Sequence, residues 1–365
     1  MSKLLKLALP ILLLQPFVAT AGDQLNAREK LGKRLFFDPA LSSPAGQSCA
    51  SCHAPQSGFA DPRGAPVSEG IHAGRFTRRN APSIKYLAAT PALHFDKKEE
   101  TYIGGLFYDG RANDFTVQIE GPLFSPIEMA NTDKHELIER LRRTSYLDAF
   151  RQIYGDNAFA DTDTGFAQLG DALGAYEKSS ELNPFTSKYD QYLAGKVKLT
   201  AAEQRGLKLF ADEKKGNCAA CHPHKPGADG RPPLFTDFTY DNLGVPKNTK
   251  SPFLTQPKQF NAAGLDDIDR GLGETVKQPS QNGKFKVTTL RNIDRTAPYM
   301  HNGVFTTLKQ VVDFYNTRDV DPKWAPPEVK ENVNKEELGD LKLSENEVDD
   351  IVAFLKTLTD DYKAP

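Results

Sequence analysis

Four cysteines and two histidines carry the most specific chemical pattern in this chain. They form two strings, Cys49-Ala-Ser-Cys52-His53 and Cys218-Ala-Ala-Cys221-His222, which contain all four cysteines of the 365-residue sequence. The Cys-x-x-Cys-His pattern is the attachment signature of c-type haem. Two thiols reach the two vinyl groups of one porphyrin, and the adjacent histidine becomes the proximal ligand of the iron. The sequence therefore predicts two covalently bound haem c groups.

Disulfides, a thioredoxin-like redox site and zinc binding are the alternatives for these cysteines. An oxidising compartment would favour disulfides, but every cysteine falls inside one of the two strings. Neither a redox site nor a zinc site requires a histidine directly after the second cysteine, twice in one chain. The spacing favours haem.

The first residues have the pattern of a secretory signal. Lys3 and Lys6 precede an apolar run over residues 7–18, and Ala19-Thr-Ala21 supplies a small-x-small cleavage site. The alternative is a membrane anchor, but the run is shorter than the ~20 residues that a spanning helix needs. We predict a signal peptide over residues 1–21, a periplasmic location and no membrane span after cleavage.

Charge excludes one class of partner. The formal net charge is −2, and loss of the two lysines in the signal peptide makes it −4. A mildly acidic surface does not favour a polyanion. The sequence therefore predicts no nucleic-acid partner.

An internal repeat precedes each haem string and predicts the helices that position it. Residues 26–38 match residues 200–212 at a constant offset of 174, with Glu, Gly, Leu, Phe and Asp in register. Each copy opens with a capping box, Asn26 with Glu29 in the first and Thr200 with Glu203 in the second. Capping boxes mark helix N-termini.

A third capping box predicts the last helix. Ser344 and Glu347 open an amphipathic stretch that continues to Leu358, and residues 166–178 form a weaker counterpart in the first half. In that alignment Tyr176 stands where Phe354 stands.

A first helix, a haem string and a last helix that packs across the first make the cytochrome c plan. We predict a mainly α fold of two cytochrome c-like domains, residues 22–184 and 185–365, each with one covalent c-type haem. The boundary is placed where a helical stretch meets Pro184. Gly-, Pro- and Asn-rich segments predict long loops between the helices.

Longer motifs resemble the bacterial di-haem cytochrome c peroxidases, a family that includes the MauG-type enzymes that mature methylamine dehydrogenase. The resemblance spans essentially the whole mature chain. It implies that the haem on His53 meets hydrogen peroxide and that the haem on His222 passes or stores electrons. The motifs are Leu31-Gly-Lys-Arg-Leu-Phe-Phe-Asp-Pro-Ala-Leu-Ser42, Arg79-Asn-Ala-Pro-Ser83, Phe107-Tyr-Asp-Gly-Arg111, Gly121-Pro-Leu-Phe-Ser-Pro-Ile-Glu-Met129 and Leu290-Arg-Asn with Ala297-Pro-Tyr-Met-His-Asn-Gly303.

The resemblance also implies catalytic residues for the first haem. By motif, Glu128 matches the distal glutamate, Gln118 the distal glutamine and Pro122 the proline between them. Heterolysis of an O–O bond needs a base for the near oxygen and an acid for the departing one, and one carboxylate can serve both roles. The alternative for Glu128 is a solvated carboxylate beside a helix start.

Two further positions bear on the first haem. His72 lies in the loop where some family peroxidases place a histidine that closes the iron in the resting enzyme; the alternative is a surface histidine. Tyr108 stands where the family has a tryptophan between the haems, and the only tryptophan, Trp324, lies elsewhere. Tyr108 could relay electrons, although a phenol must lose its proton on oxidation.

Tyr315 departs from the ordinary peroxidase pattern. It occupies the position at which methionine-ligated members carry the sixth ligand of the second haem, and this resembles the MauG-type branch. A tyrosinate donates negative charge and favours ferric or high-valent iron, whereas a thioether favours ferrous iron. The alternatives are that Tyr315 only packs and that Met300, Met129 or His301 binds instead.

The family also implies a calcium ion between the haems. By motif its ligands are the side chain of Asn80 and the main-chain carbonyls of Thr296 and Pro298, which are hard oxygen donors. A homodimer is the family expectation for the assembly.

Three functions follow. The first is reduction of hydrogen peroxide to water with electrons from a small periplasmic cytochrome c or cupredoxin, through high-valent iron that a Tyr-ligated second haem stabilises. The second is a MauG-like enzyme that oxidises residues of a protein partner. The third is a non-catalytic di-haem electron carrier.

Overall fold

The computed structural model describes residues 25–363, so the signal peptide predicted for residues 1–21 lies outside the described residues. Helices joined by long loops and short 3-10 turns build this part of the chain. Its α-helices are α1 Ala27–Phe36, α2 Phe115–Phe124, α3 Lys134–Arg142, α4 Tyr146–Tyr154, α5 Thr162–Glu177, α6 Lys188–Leu193, α7 Ala201–Ala211, α8 Leu272–Val276, α9 Leu308–Thr317 and α10 Glu345–Lys356. Two short antiparallel sheets pair β1 His94–Asp96 with β2 Thr101–Ile103, and β3 Tyr240–Asp241 with β4 Phe285–Lys286.

The two halves of the chain repeat one helix crossing. Helix α1 crosses α5, and a Cβ at Gly32 would lie 1.9 Å from the carbonyl oxygen of Ala172. Helix α7 crosses α10 in the same way, with Gly206 at the same 1.9 Å from the carbonyl oxygen of Asp350. Only glycine allows two helix backbones to approach so closely.

Aromatic rings close each crossing. Phe36 and Tyr176 meet edge to face at 5.4 Å between ring centroids, and Phe210 and Phe354 do the same at 5.1 Å. The predicted equivalence of Tyr176 and Phe354 is therefore confirmed.

The predicted helix starts are confirmed by their capping boxes. The side chains of Asn26, Thr200 and Ser344 each accept a backbone N–H, and each residue donates its own backbone N–H to the carboxylate of the glutamate three residues later. Helix α5 begins at Thr162, four residues before the predicted start at 166, because the side chain of Asp161 accepts the backbone N–H of Thr164 and caps it earlier.

Two hydrophobic cores form around these crossings. The N-terminal core contains buried residues from Leu31 to Leu182, and the C-terminal core contains buried residues from Tyr189 to Leu358. The exact domain boundary remains a prediction. Within residues 25–363, none of the helices has the length and apolarity needed to cross a bilayer.

The C-terminal tail, residues 357–363, joins the two cores. Asp360 is buried and accepts hydrogen bonds from Lys85 Nζ at 2.6 Å, Tyr86 Oη at 2.7 Å and Asn292 Nδ2 at 2.7 Å. Lys85 and Tyr86 come from the first half of the chain and Asn292 from the second. The backbone N–H of Thr186, in the connection between the cores, also points to Asp360 at 3.3 Å.

Candidate functional site

The two haem strings adopt the same local structure. Each forms a short 3-10 turn, Cys49–Ser51 and Cys218–Ala220, and the histidine follows it. His53 Nδ1 lies 3.1 Å from the carbonyl oxygen of Phe59, and His222 Nδ1 lies 2.7 Å from that of Phe235. An imidazole that donates Nδ1–H to a carbonyl keeps Nε2 free to bind a metal.

The loops that supply these carbonyls are bent alike. Phe59 and Phe235 both have left-handed backbones, with φ of 60° and 54°. That conformation is unfavourable for a bulky side chain. Its occurrence at both equivalent carbonyls indicates that orienting the histidine matters more than the local cost.

The thiols do not have the environment of redox-active cysteines. All four are unbridged. Burial raises the pKa of the Cys52 thiol to about 11 and that of Cys49, Cys218 and Cys221 to about 12. Reactive Cys-x-x-Cys sites have thiols with lowered pKa values. The arrangement therefore disfavours the thioredoxin-like alternative and fits covalent attachment of haem.

A large internal cavity adjoins the second string. Cys218, Cys221 and His222 line it together with Tyr315, and apolar side chains of α7, α9 and α10 complete its walls. Burial is the main cause that raises the pKa of the Tyr315 phenol. The donor set and the apolar walls fit a haem held through His222, with Tyr315 in the same cavity.

The structure distinguishes between the three alternatives to Tyr315 as the sixth ligand of the second haem. Met129 is buried in the N-terminal core and is wrong as a ligand of the second haem. Met300 and His301 line the cavity. The ring of His301 stacks on Phe285 at 3.6 Å, and its Nε2 has no hydrogen-bond partner among residues 25–363.

Of the predicted catalytic residues, Glu128 lies beside the first string. Helix α2 carries Gln118 and Pro122 one turn apart, and Glu128 lies in the turn that follows the helix. Glu128 is close enough to Cys52 for its charge to contribute to the raised pKa of that thiol. Burial raises the pKa of Glu128 itself, and the nearby Arg111 opposes this effect.

The loop that carries His72 packs directly on Glu128. The backbone N–H of Ile71 donates to the carbonyl oxygen of Glu128 at 2.9 Å. A Cβ at Gly70 would lie 1.6 Å from the carbonyl oxygen of Ile127, so this approach requires glycine. The structure thus brings His72 to the neighbourhood of the first site.

Family comparisons agree with this geometry. The family model for the di-haem cytochrome c peroxidases matches residues 26–198. The methylamine utilization protein MauG of Paracoccus denitrificans is 38% identical over 96% of this chain and 94% of its own length. This chain belongs to the di-haem cytochrome c peroxidase family.

Two further proteins are similar to this chain over most of their length. The cytochrome c551 peroxidase of Nitrosomonas europaea is 31% identical, over 96% of this chain and 86% of its own length. The crystal structure of the diheme peroxidase BthA from Burkholderia thailandensis E264 superposes with a TM-score of 0.79 at 38% identity, and the match covers 92% of this chain and 86% of that one.

Tyr108, at the family's tryptophan position, lines the second cavity from the first half of the chain. Its carbonyl oxygen accepts the backbone N–H of Lys286 at 2.8 Å. Trp324 instead packs on Phe305 and Phe314 in the C-terminal core and donates Nε1–H to Thr317. Tyr108 is therefore the aromatic residue of this pair that lies where the two halves meet.

The three predicted calcium ligands line this same cavity. Asn80 reaches it from one loop, and Thr296 and Pro298 reach it from another. Asn80 donates its side-chain N–H to the carbonyl oxygen of Pro66 at 3.2 Å, which orients the amide. The amide oxygen and the carbonyl oxygens are the donors that suit calcium.

Sequence reasoning missed several buried carboxylates, of which Asp360 and Glu177 bear on the site. Asp360 joins the two halves, and Glu177 lies at the end of α5 near Cys49. A signal for Glu177 was present, because it is an acidic residue at a position of α5 that faces the core, as its neighbour Tyr176 does. Asp360 gave no such signal, since its partners are distant in sequence.

Proposed function

We propose that this protein is a periplasmic di-haem peroxidase that reduces hydrogen peroxide to water. The electrons come from a small cytochrome c or cupredoxin. The observation that carries the proposal is the placement of Glu128, a half-buried residue whose carboxyl pKa is raised by desolvation, beside Cys52 of the first haem string. Membership of the di-haem peroxidase family supports the same reaction.

Some residues of the chain would hold the two haems, and others would act on the peroxide. Cys49, Cys52 and His53 hold the first haem, and Cys218, Cys221 and His222 hold the second. Haem c, when bound, supplies redox-active iron that accepts and donates single electrons. The protein residues orient the peroxide and move its protons.

Glu128 acts as the general base and then as the general acid. It takes the proton from one oxygen of the peroxide and returns it to the other, which leaves as water. Gln118 donates a hydrogen bond that fixes the peroxide for this transfer. Two electrons and two protons from outside complete the conversion of one hydrogen peroxide to two waters.

The remaining site residues serve the path between the haems. With haem bound, Tyr315 would be the residue that holds the second iron opposite His222, and Tyr108 would lie on the route for electrons between the two sites. Asn80, Thr296 and Pro298 would hold a calcium ion, which would tie together the loops that carry them. These roles are supported by the shared cavity that all five residues line.

Substitution of Glu128 by Gln tests the reaction. The amide keeps the shape but cannot take up the proton, so peroxide-dependent oxidation of a reduced cytochrome c should fall by about 10²–10⁴-fold while both haems stay attached. Glu120→Gln is the matched control, because Glu120 lies on α2, the helix that precedes Glu128, and forms a surface pair with Lys134. Undiminished turnover in Glu128→Gln would overturn the acid–base assignment.

The MauG-like function is the second candidate. Tyr315 in the second cavity favours it, and so does the 38% identity to a methylamine utilization protein. Its test is peroxide-driven loss of hydrogen from aromatic residues of a co-purified partner, measured by mass spectrometry without any reduced donor. If peroxide oxidised neither a reduced cytochrome c nor a protein partner, the electron-carrier function would remain.

A further inference from the structure

A buried carboxylate lies beside the first haem string and has no part in the proposed peroxide chemistry. Glu177 is the last residue of α5 and is only 6% exposed. Its carboxylate makes no hydrogen bond or ion pair within residues 25–363. Buried carboxylates are normally paired, because burial without a partner disfavours the charged form.

The surroundings of Glu177 explain its position. Its charge is the second cause, after burial, of the raised pKa of the Cys49 thiol, so the two side chains are close. The charged group that opposes burial is the adjacent Lys178, whose ammonium lies over the ring of Phe115 at 4.7 Å. Tyr176 also faces it and donates its hydroxyl to Glu181, not to Glu177.

The internal repeat supplies a built-in comparison. At the two helix crossings, Ala172 corresponds to Asp350 and Tyr176 to Phe354, both at an offset of 178. The same offset places Glu177 opposite Leu355, a buried apolar residue that lines the second cavity. No carboxylate contributes to the raised pKa of Cys218, the counterpart of Cys49. An ionisable group at this position of the crossing is therefore specific to the first site, whereas the carboxylates of the second site, Glu337, Asp237 and Asp241, act on its other thiol, Cys221.

We infer that Glu177 couples reduction of the haem on Cys49 to the uptake of one proton. When the iron gains one electron from the donor, the positive charge that stabilises the Glu177 carboxylate decreases, and the carboxylate takes one proton from solvent. One electron and one proton thus enter the site together. Burial raises the pKa of Glu177 to about 8.

This function differs from that of Glu128. Glu128 moves protons within the peroxide, whereas Glu177 sets the potential of the first haem as a function of pH. The inference rests on haem attachment at Cys49 and not on peroxide turnover. A variant such as Glu128→Gln should therefore lose turnover and keep the pH dependence.

Spectroelectrochemical titration of the holoprotein between roughly pH 5 and 9 tests the inference. The midpoint potential of the first haem should fall as pH rises, with a limit of about 59 mV per pH unit, which is a tenfold change in the one-electron equilibrium. Glu177→Gln and Glu177→Leu should abolish this slope; the leucine reproduces the second site. Glu181→Gln, which removes a half-exposed carboxylate from the same segment, is the control and should keep the slope.

Intact mass confirms that each variant carries two haems before titration. A wild-type slope that survives in Glu177→Gln would overturn the inference, as would a wild type without a slope. Infrared difference spectroscopy of the wild type keeps the inference testable if the leucine variant does not fold. The reduced-minus-oxidised spectrum of the wild type should gain a protonated carboxyl band that the spectrum of Glu177→Gln lacks. Absence of that band in the wild type would also overturn the inference.

Discussion

Replacement of Asp360 by asparagine should be among the most destabilising single changes in this protein. The Asp360 side chain is 1% exposed and its ion-pair partner Lys85 is 8% exposed. Their 2.6 Å pair connects the C-terminal tail to the first half of the chain. Tyr86 and Asn292 donate further hydrogen bonds to the same carboxylate.

The size of the destabilisation follows from the buried groups that remain after the substitution. Asparagine retains an oxygen for Tyr86 but removes the negative charge, so the buried Lys85 ammonium loses its counter-charge. Removal of one partner from a buried ion pair costs about 3–5 kcal/mol, mainly because the other charge remains buried and uncompensated. We expect the free energy of unfolding to decrease by that amount.

Urea unfolding at pH 7, followed by circular dichroism, measures the change. Asp349→Asn is the matched control, because Asp349 lies on α10 in an exposed pair with Lys309, and its loss should leave the unfolding midpoint unchanged. A double variant, Lys85→Met with Asp360→Asn, should recover much of the lost stability. A decrease below about 1 kcal/mol for Asp360→Asn alone would refute the reasoning about the buried pair.

Four further results are expected. Burial would raise the pKa of Asp360, but the charge of Lys85 and the hydrogen bonds hold it below its ordinary value of 3.8. The stabilisation from Asp360 is therefore present above pH 3.8 and is lost as pH falls below it, and acid titration of Asp360→Asn should lack this loss. Gly206→Ala should lower the free energy of unfolding by about 1–3 kcal/mol in urea, because the methyl group meets the Asp350 carbonyl. Tyr315→Phe should alter the optical and paramagnetic spectrum of the second haem alone; an unchanged spectrum would exclude Tyr315 as its ligand. Cys218→Ala removes one of the two thiols that attach the second haem, so the pyridine haemochrome spectrum should show one altered haem. An unaltered spectrum with an intact mass that still includes two haems would contradict attachment at Cys218.

The helices that hold the haem strings could be predicted from the sequence because their determinants are local. Capping boxes at Asn26, Thr200 and Ser344 lie within four residues of the helix starts they specify. The repeat also carried the crossing glycines, Gly32 and Gly206, at a constant offset. The start of α5 was placed too late because its cap, Asp161, precedes the apolar periodicity on which the prediction depended.

The site could be predicted only in part. The haem strings were evident from spacing, and the positions of Glu128 and Tyr315 came from the family resemblance. Contacts between distant segments could not be read from the sequence. The packing of the His72 loop on Glu128 depends on Gly70, and the exclusion of Met129 as a second-site ligand depends on its burial in the N-terminal core.

The most direct test of the central claim is low-temperature electron paramagnetic resonance of the as-isolated ferric holoprotein, before and after one equivalent of hydrogen peroxide. The account predicts a high-spin signal from the haem on His53 that disappears with peroxide, beside a low-spin signal with histidine and tyrosine ligation from the haem on His222. Two low-spin signals that ignore peroxide, both as isolated and after one-electron reduction, would contradict the account.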